Sequence, residues 1–166
     1  MREFLTQEVP AYRDFQLVYG LLFLNFAIPV MGYVFSPETA IQSYRDTNLL
    51  LGGGPLPFPE SQSVFFWVLG CANVLTLAFC CAFLMWNLRR HYAALLPLTF
   101  LKFMAATLWL AIFLLDERAP IHLGAALLDY VTCAAFVFFA RRARRAIGEV
   151  PDEALVPRPR AAFGGA

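Results

Sequence analysis

Charge is what this sequence has least of. Asp, Glu, Lys and Arg make up 15% of its 166 residues, where a soluble domain carries about 25%. Hydrophobic residues make up 60%. A globule of this size with so few charges could not cover its own surface, so lipid has to cover it. Histidine is almost absent. His91 and His122 fall at opposite ends of two different apolar runs, so they cannot hold one haem between them. The four cysteines form no C-x-x-C pair. Cys80 and Cys81 are adjacent and project about 100° apart on a helix, so they cannot face one metal. Cys71 and Cys133 also lie in apolar runs and read as packing residues. The glycine run at Gly52, Gly53 and Gly54 is followed by Pro55 rather than G-K-[ST], which rules out a phosphate loop. No Ser–His–Asp, zinc or nucleotide pattern occurs. Together these absences imply no catalytic residues, no metal and no cofactor. Nucleic acid is an unsuitable partner as well, because the basic residues flank apolar runs instead of forming a soluble patch.

Long apolar runs are what the sequence does have. Four stretches, residues 15–35, 64–86, 92–115 and 121–140, each approach the ~20 residues a bilayer core demands. The first is too long in its apolar core for a cleavable signal, and Arg2 and Arg13 before it are mixed with Glu3, Glu8 and Asp14. The expected fold is all-α, an integral membrane antiparallel four-helix bundle. Residues 1–148 form one transmembrane domain, and 149–166 form a flexible cytoplasmic tail with too little hydrophobicity to fold alone.

Lys and Arg set the orientation. Arg89 and Arg90 fill the tight connection between the second and third runs, and Arg141, Arg142, Arg144 and Arg145 follow the fourth. The other two connections hold Arg45 and Arg118 among Glu38, Asp46, Glu60, Asp116 and Glu117. Both termini are therefore expected in the cytoplasm, with a bacterial inner membrane as the setting. The four arginines after the last run are also candidates for holding anionic lipid head groups.

The one long connection, 36–63, carries Ser36-Pro37-Glu38, which reads as an N-cap, a first-turn proline and an acid at the positive helix end. A short interfacial helix over 37–51 follows from it, with Ala40, Ile41 and Tyr44 on its apolar side. The glycines then act as a flexible hinge. Pro29 should kink the first span, and Pro97 should bend the third near its start.

A few polar residues do not belong in hydrocarbon: Asn25, Asn73, Lys102 and Asp129, one per span. At 1.5 Å per residue they lie roughly 16, 20, 15 and 18 Å from the cytoplasmic ends of their helices, all near the midplane. Charges at that depth cost several kcal/mol each unless paired or wetted. Lys102 and Asp129 sit on consecutive antiparallel spans and can meet there. Ala125, Ala126, Asp129, Thr132 and Cys133 share a stripe with His122, and Lys102 stacks with Ala105, Ala106 and Trp109. Small residues allow close approach, so these stripes should face each other. The pair serves either as a structural clasp, with the asparagines as hydrogen-bonding glue, or as a midplane site for a small ligand.

The Ser36-Pro37-Glu38-Thr39-Ala40 stretch, with Lys102 and Asp129 in mid-span, resembles small bacterial four-helix membrane proteins of a loosely DoxX-like kind. That resemblance implies the architecture and assigns no catalytic residue. The expected role is a non-catalytic accessory subunit, or a lipid- and partner-binding element of a larger membrane assembly. Its partners would be the lipid bilayer and a membrane protein or a second copy. The alternative is a small carrier or enzyme built on Lys102 and Asp129.

The orientation is directly testable. A phosphatase or fluorescent reporter fused after Ala166 should report cytoplasm, and one inserted near Gly53 the outside. The reverse result at both positions would overturn it.

Overall fold

A computed structural model describes residues 9–56, 63–116, 118–151 and 155, the side chains of 63–67 excepted. Five α-helices follow one another: α1 (Pro10–Phe35), α2 (Pro37–Leu50), α3 (Ser63–Trp86), α4 (Leu95–Leu115) and α5 (Pro120–Ile147). A single 3-10 turn, Tyr92–Ala94, leads into α4. No strand occurs among the described residues. Four of the helices are long and apolar enough to cross a membrane, and the protein is an all-α bundle of four membrane helices. One end of it, the arginine end, carries the start of α1 and the end of α5. The opposite end is crossed by α2.

Two helices run further than hydropathy alone indicates. α1 begins at Pro10 instead of residue 15, because Pro at the first position gives up only an N–H that would have no helical partner. The added turn buries Tyr12, which then stacks toward Phe15 and Tyr19 at helical spacing. α5 continues to Ile147, seven residues past the end of its apolar run, because Ala140, Ala143 and Ile147 keep an inward stripe going. Arg141, Arg142, Arg144 and Arg145 are consequently on a helix and not in a connection after it. Pro97 falls in the first turn of α4, where the missing N–H breaks no helical bond. Ser36 stands at the N-cap position of α2, with Pro37 and Glu38 in the first turn as expected. It divides α1 from α2 by its backbone (φ −148°, ψ 62°), however, and its side chain makes no capping bond.

The helices pack in the ring order α3, α1, α5, α4, with α4 most heavily against α5 and α1 against α3. α3 and α4 touch least, although a tight turn joins them. The core lies at the arginine end: Tyr12, Phe15, Tyr19, Leu84, Leu88, Leu98 and Phe136 are fully buried. Burial earns no water-expulsion energy where the alternative is lipid, so close packing and polar bonds must hold the helices together. Tyr19 donates from its hydroxyl to the Phe136 carbonyl (2.9 Å) and Gln16 from its amide to the Met85 carbonyl (3.3 Å). The tail expected to run free from residue 149 is anchored at one described point. Leu155 is buried, and its carbonyl accepts from the Tyr12 hydroxyl (3.2 Å).

Both ends of α5 are closed by residues from elsewhere in the chain. At the arginine end, Arg89 Nη2 lies within hydrogen-bond reach of the carbonyls of Ile147 (3.1 Å), Gly148 (2.9 Å) and Val150 (2.9 Å). A cation on those orphan carbonyls also opposes the negative end of the helix dipole. At the other end the fully buried Asn48 accepts the Ile121 N–H (3.4 Å) and donates to the Gly54 carbonyl (2.7 Å). The glycines beside it form a built turn and not a hinge. Gly53 donates its N–H to the Asn48 carbonyl (2.9 Å), Gly52 has φ +83°, and a Cβ at Gly53 would overlap the Asn48 amide.

Asn48→Ala removes both side-chain bonds and strands a buried helix-end donor, which costs about 1–3 kcal/mol. Gly53→Ala should cost a similar amount by evicting the same amide. Because both changes break one unit, thermal unfolding in detergent should find the double variant barely worse than either single. Fully additive losses would disprove this coupling.

Candidate functional site

The α4–α5 seam is built from short side chains that let two helices approach, with polar groups placed at intervals along it. Ala106 on α4 and Ala126 on α5 are buried, and Ala105 and Ala125 are half-buried. Lys102 Nζ contacts Asp129 Oδ1 at 2.5 Å, and the two side chains are only 15% and 12% exposed. Nζ also stands 5.0 Å from the centroid of the Phe26 ring, so α1 supplies an aromatic face to the same ammonium. Thr99 and Cys133 meet on the arginine side of the pair, the thiol lying 3.6 Å from the Thr99 carbonyl. On the other side the hydroxyls of Thr107 and Tyr130 are 3.1 Å apart. Beyond them Trp109 stacks on His122, with ring centroids at 5.3 Å.

Of the four midplane residues named from sequence, this seam brings together Lys102 and Asp129. Asn25 and Asn73 are exposed. Asn25 shares an outward face of α1 with Leu21, Leu24 and Ile28. Asn73 continues the stripe of Leu77, Cys80 and Leu84 on α3, yet it is exposed. A Cβ added at neighbouring Gly70 would meet nothing. Neither amide hydrogen-bonds to another described residue. The glue expected of them therefore does not operate among the described residues.

The four arginines of α5 divide three to one. Arg141, Arg142 and Arg145 line a groove of about 850 Å³ between α5 and the start of α1. Its walls are otherwise Ala11, Ala134, Val137, Phe138 and Ala146. Arg142 also reaches Asp14 at 3.4 Å, an exposed contact of small energetic value. Arg144 points the other way and lies over the Tyr92 ring at 4.0 Å.

Cys80 and Cys81 are buried, Cys71 and Cys133 half-buried, and all four are free thiols. Among the described residues no three His, Cys, Asp or Glu side chains gather as a metal set would. The residues that sequence reasoning missed are Asn48 and Arg89. An Asn at the end of an amphipathic run, four residues before Gly52, was the available signal for the first. Arg89 looked like a topology marker, and nothing local distinguishes a marker from a cap.

Removing one partner of a buried ion pair leaves the other charge uncompensated, at a cost of about 3–5 kcal/mol. Lys102→Leu and Asp129→Leu should each lower the detergent melting temperature sharply, and the double replacement should recover most of the loss. A double variant no more stable than the singles would show that the pair does not hold the seam.

No protein-family model, no curated protein and no solved structure matches this chain.

Proposed function

We propose that this protein is a non-catalytic element of a membrane assembly, and that it binds anionic phospholipid in the arginine-lined groove. The groove carries the proposal. It joins an apolar wall of Ala134, Val137 and Phe138 to a rim of Arg141, Arg142 and Arg145 within one concave surface. Acyl chain against the wall and phosphate against the guanidinium rim is the chemistry such a surface suits, since planar forks match phosphate oxygens in pairs. With this end in the cytoplasm, as the arginine distribution implies, the lipid would belong to the inner leaflet of a bacterial inner membrane.

A partner-binding role rests on the asparagines. An exposed amide near the bilayer midplane is costly unless something meets its hydrogen-bonding groups. Asn25 and Asn73 are exposed at that depth, on separate helices, so a second membrane helix is the partner their chemistry fits. A carrier or enzyme working through Lys102 and Asp129 would need those charges available to a ligand. Their direct contact with each other supports a clasp.

Native mass spectrometry from mild detergent provides the test. Wild type should retain phosphatidylglycerol in preference to phosphatidylcholine. Each arginine near a lipid surface is worth about 1 kcal/mol, so changing Arg141, Arg142 and Arg145 together to Gln should cut retention at least roughly tenfold. Arg144→Gln should leave it unchanged. Equal retention by the triple variant, or an equal loss with Arg144→Gln, would overturn the assignment.

A further inference from the structure

The α2 end holds a second and chemically different space. An open recess of about 330 Å³ is lined by Tyr33 from α1, Pro37, Ala40, Ile41 and Tyr44 from α2, Trp109 from α4 and His122 from α5. Three rings form one wall. Trp109 and His122 are stacked within 20° of parallel, and Tyr44 lies 6.0 Å from the first and 6.3 Å from the second. Among the described residues no Asp, Glu, Lys or Arg lines it, and His122 is buried in the ring stack. The lining therefore favours a neutral ligand over an ionic one. A flat neutral one would find ring faces on one side and aliphatic carbon on the other.

The recess does not stand alone. A hollow of about 400 Å³ between α1 and α2 shares Tyr33, Ala40 and Tyr44 with it, and Ser36, Thr39, Ser43 and Thr47 line its far side. The two spaces grade from ring-lined to hydroxyl-lined along one edge of α2. Tyr33 and Tyr44 stand between them. The Tyr44 oxygen is buried, whereas Tyr33 is exposed, so the phenol with one donor and spare acceptor capacity that a ligand reaches is Tyr33. The combination of size, apolar lining and a few converging polar groups is that of small-molecule sites.

From this we infer that the recess under α2 binds a small neutral molecule with a flat ring system and a hydroxyl at one end, the hydroxyl directed toward Tyr33. This site is independent of the lipid groove, which lies at the opposite end of the bundle.

The probe is 6-bromo-2-naphthol, whose bromine quenches indole fluorescence on contact, titrated into the full-length protein in detergent. The chain has three tryptophans, of which Trp109 lines the recess. Wild type should show a saturable quench, and Trp109→Phe should lose the saturable part. Ala40→Phe fills the space and should shift saturation by about tenfold or more in probe concentration. The anionic analogue 6-bromo-2-naphthoate should not saturate with any variant, a result that does not depend on whether Ala40→Phe folds. Quenching that rises linearly and equally in wild type and Trp109→Phe would mean partition into the micelle only. That result, or saturation by the naphthoate at the same concentration as the naphthol, would overturn the site.

Discussion

Everything in this bundle is aligned by the contact between Lys102 and Asp129. In hydrocarbon an apolar surface has no preference for one rotation or one height of its neighbour, because lipid tails satisfy it equally well. An ammonium and a carboxylate do have a preference, since separating them would leave two charges in a medium that tolerates neither. Their contact sets α4 against α5 at one height and one rotation. The remaining seam contacts then follow in order: Thr99 with Cys133, Thr107 with Tyr130, and Trp109 with His122. Phe26 against the ammonium brings α1 into the same register.

α5 is central because its two ends are closed by other parts of the chain. A membrane helix that stops near the interface exposes four N–H groups and four carbonyls. Asn48, in the last turn of α2, takes one of the donors, and Arg89, in the turn after α3, takes the carbonyls at the far end. Neither residue is near α5 in sequence. Each therefore folds a connection back onto the bundle, and each lies beside one of the two concave surfaces. Arg89 holds the end of α5 that presents the arginine groove. Asn48 holds α2 over the ring-lined recess.

Much of this was legible in the sequence, and the misses share one cause. Composition and length identify the four spans, and depth alone pairs Lys102 with Asp129, because both follow from distance along one helix. Rotation and closure do not. Asn73 has the helical spacing of an inward residue, in line with Leu77, Cys80 and Leu84, yet it is exposed. Asn25 was placed by depth, which says nothing about the face it occupies. The end of the apolar run at Ala140 did not mark the end of α5, since Ala143 and Ile147 extend the inward stripe between outward arginines. Asn48 and Arg89 act on residues 73 and 58 positions away or more, and no local pattern reports on such a bond.

A distinction between structural and working polar groups follows from where each one's bonds are spent. In a soluble protein an exposed polar side chain is unremarkable, because water meets it. In a bundle that crosses a membrane every polar group needs a partner with a name. Lys102, Asp129, Asn48, Arg89, Tyr12 and Tyr19 find theirs inside the chain, and their bonds are consumed in holding it together. Arg141 and Arg145 on the groove rim, and Asn25 and Asn73 on open helix faces, direct polar groups outward instead. A charge on the rim can meet water or a phosphate, whereas an amide deep in a span needs a hydrogen-bonding group that lipid tails do not supply. The proposed lipid contact rests on the first kind of group, and the proposed protein contact on the second.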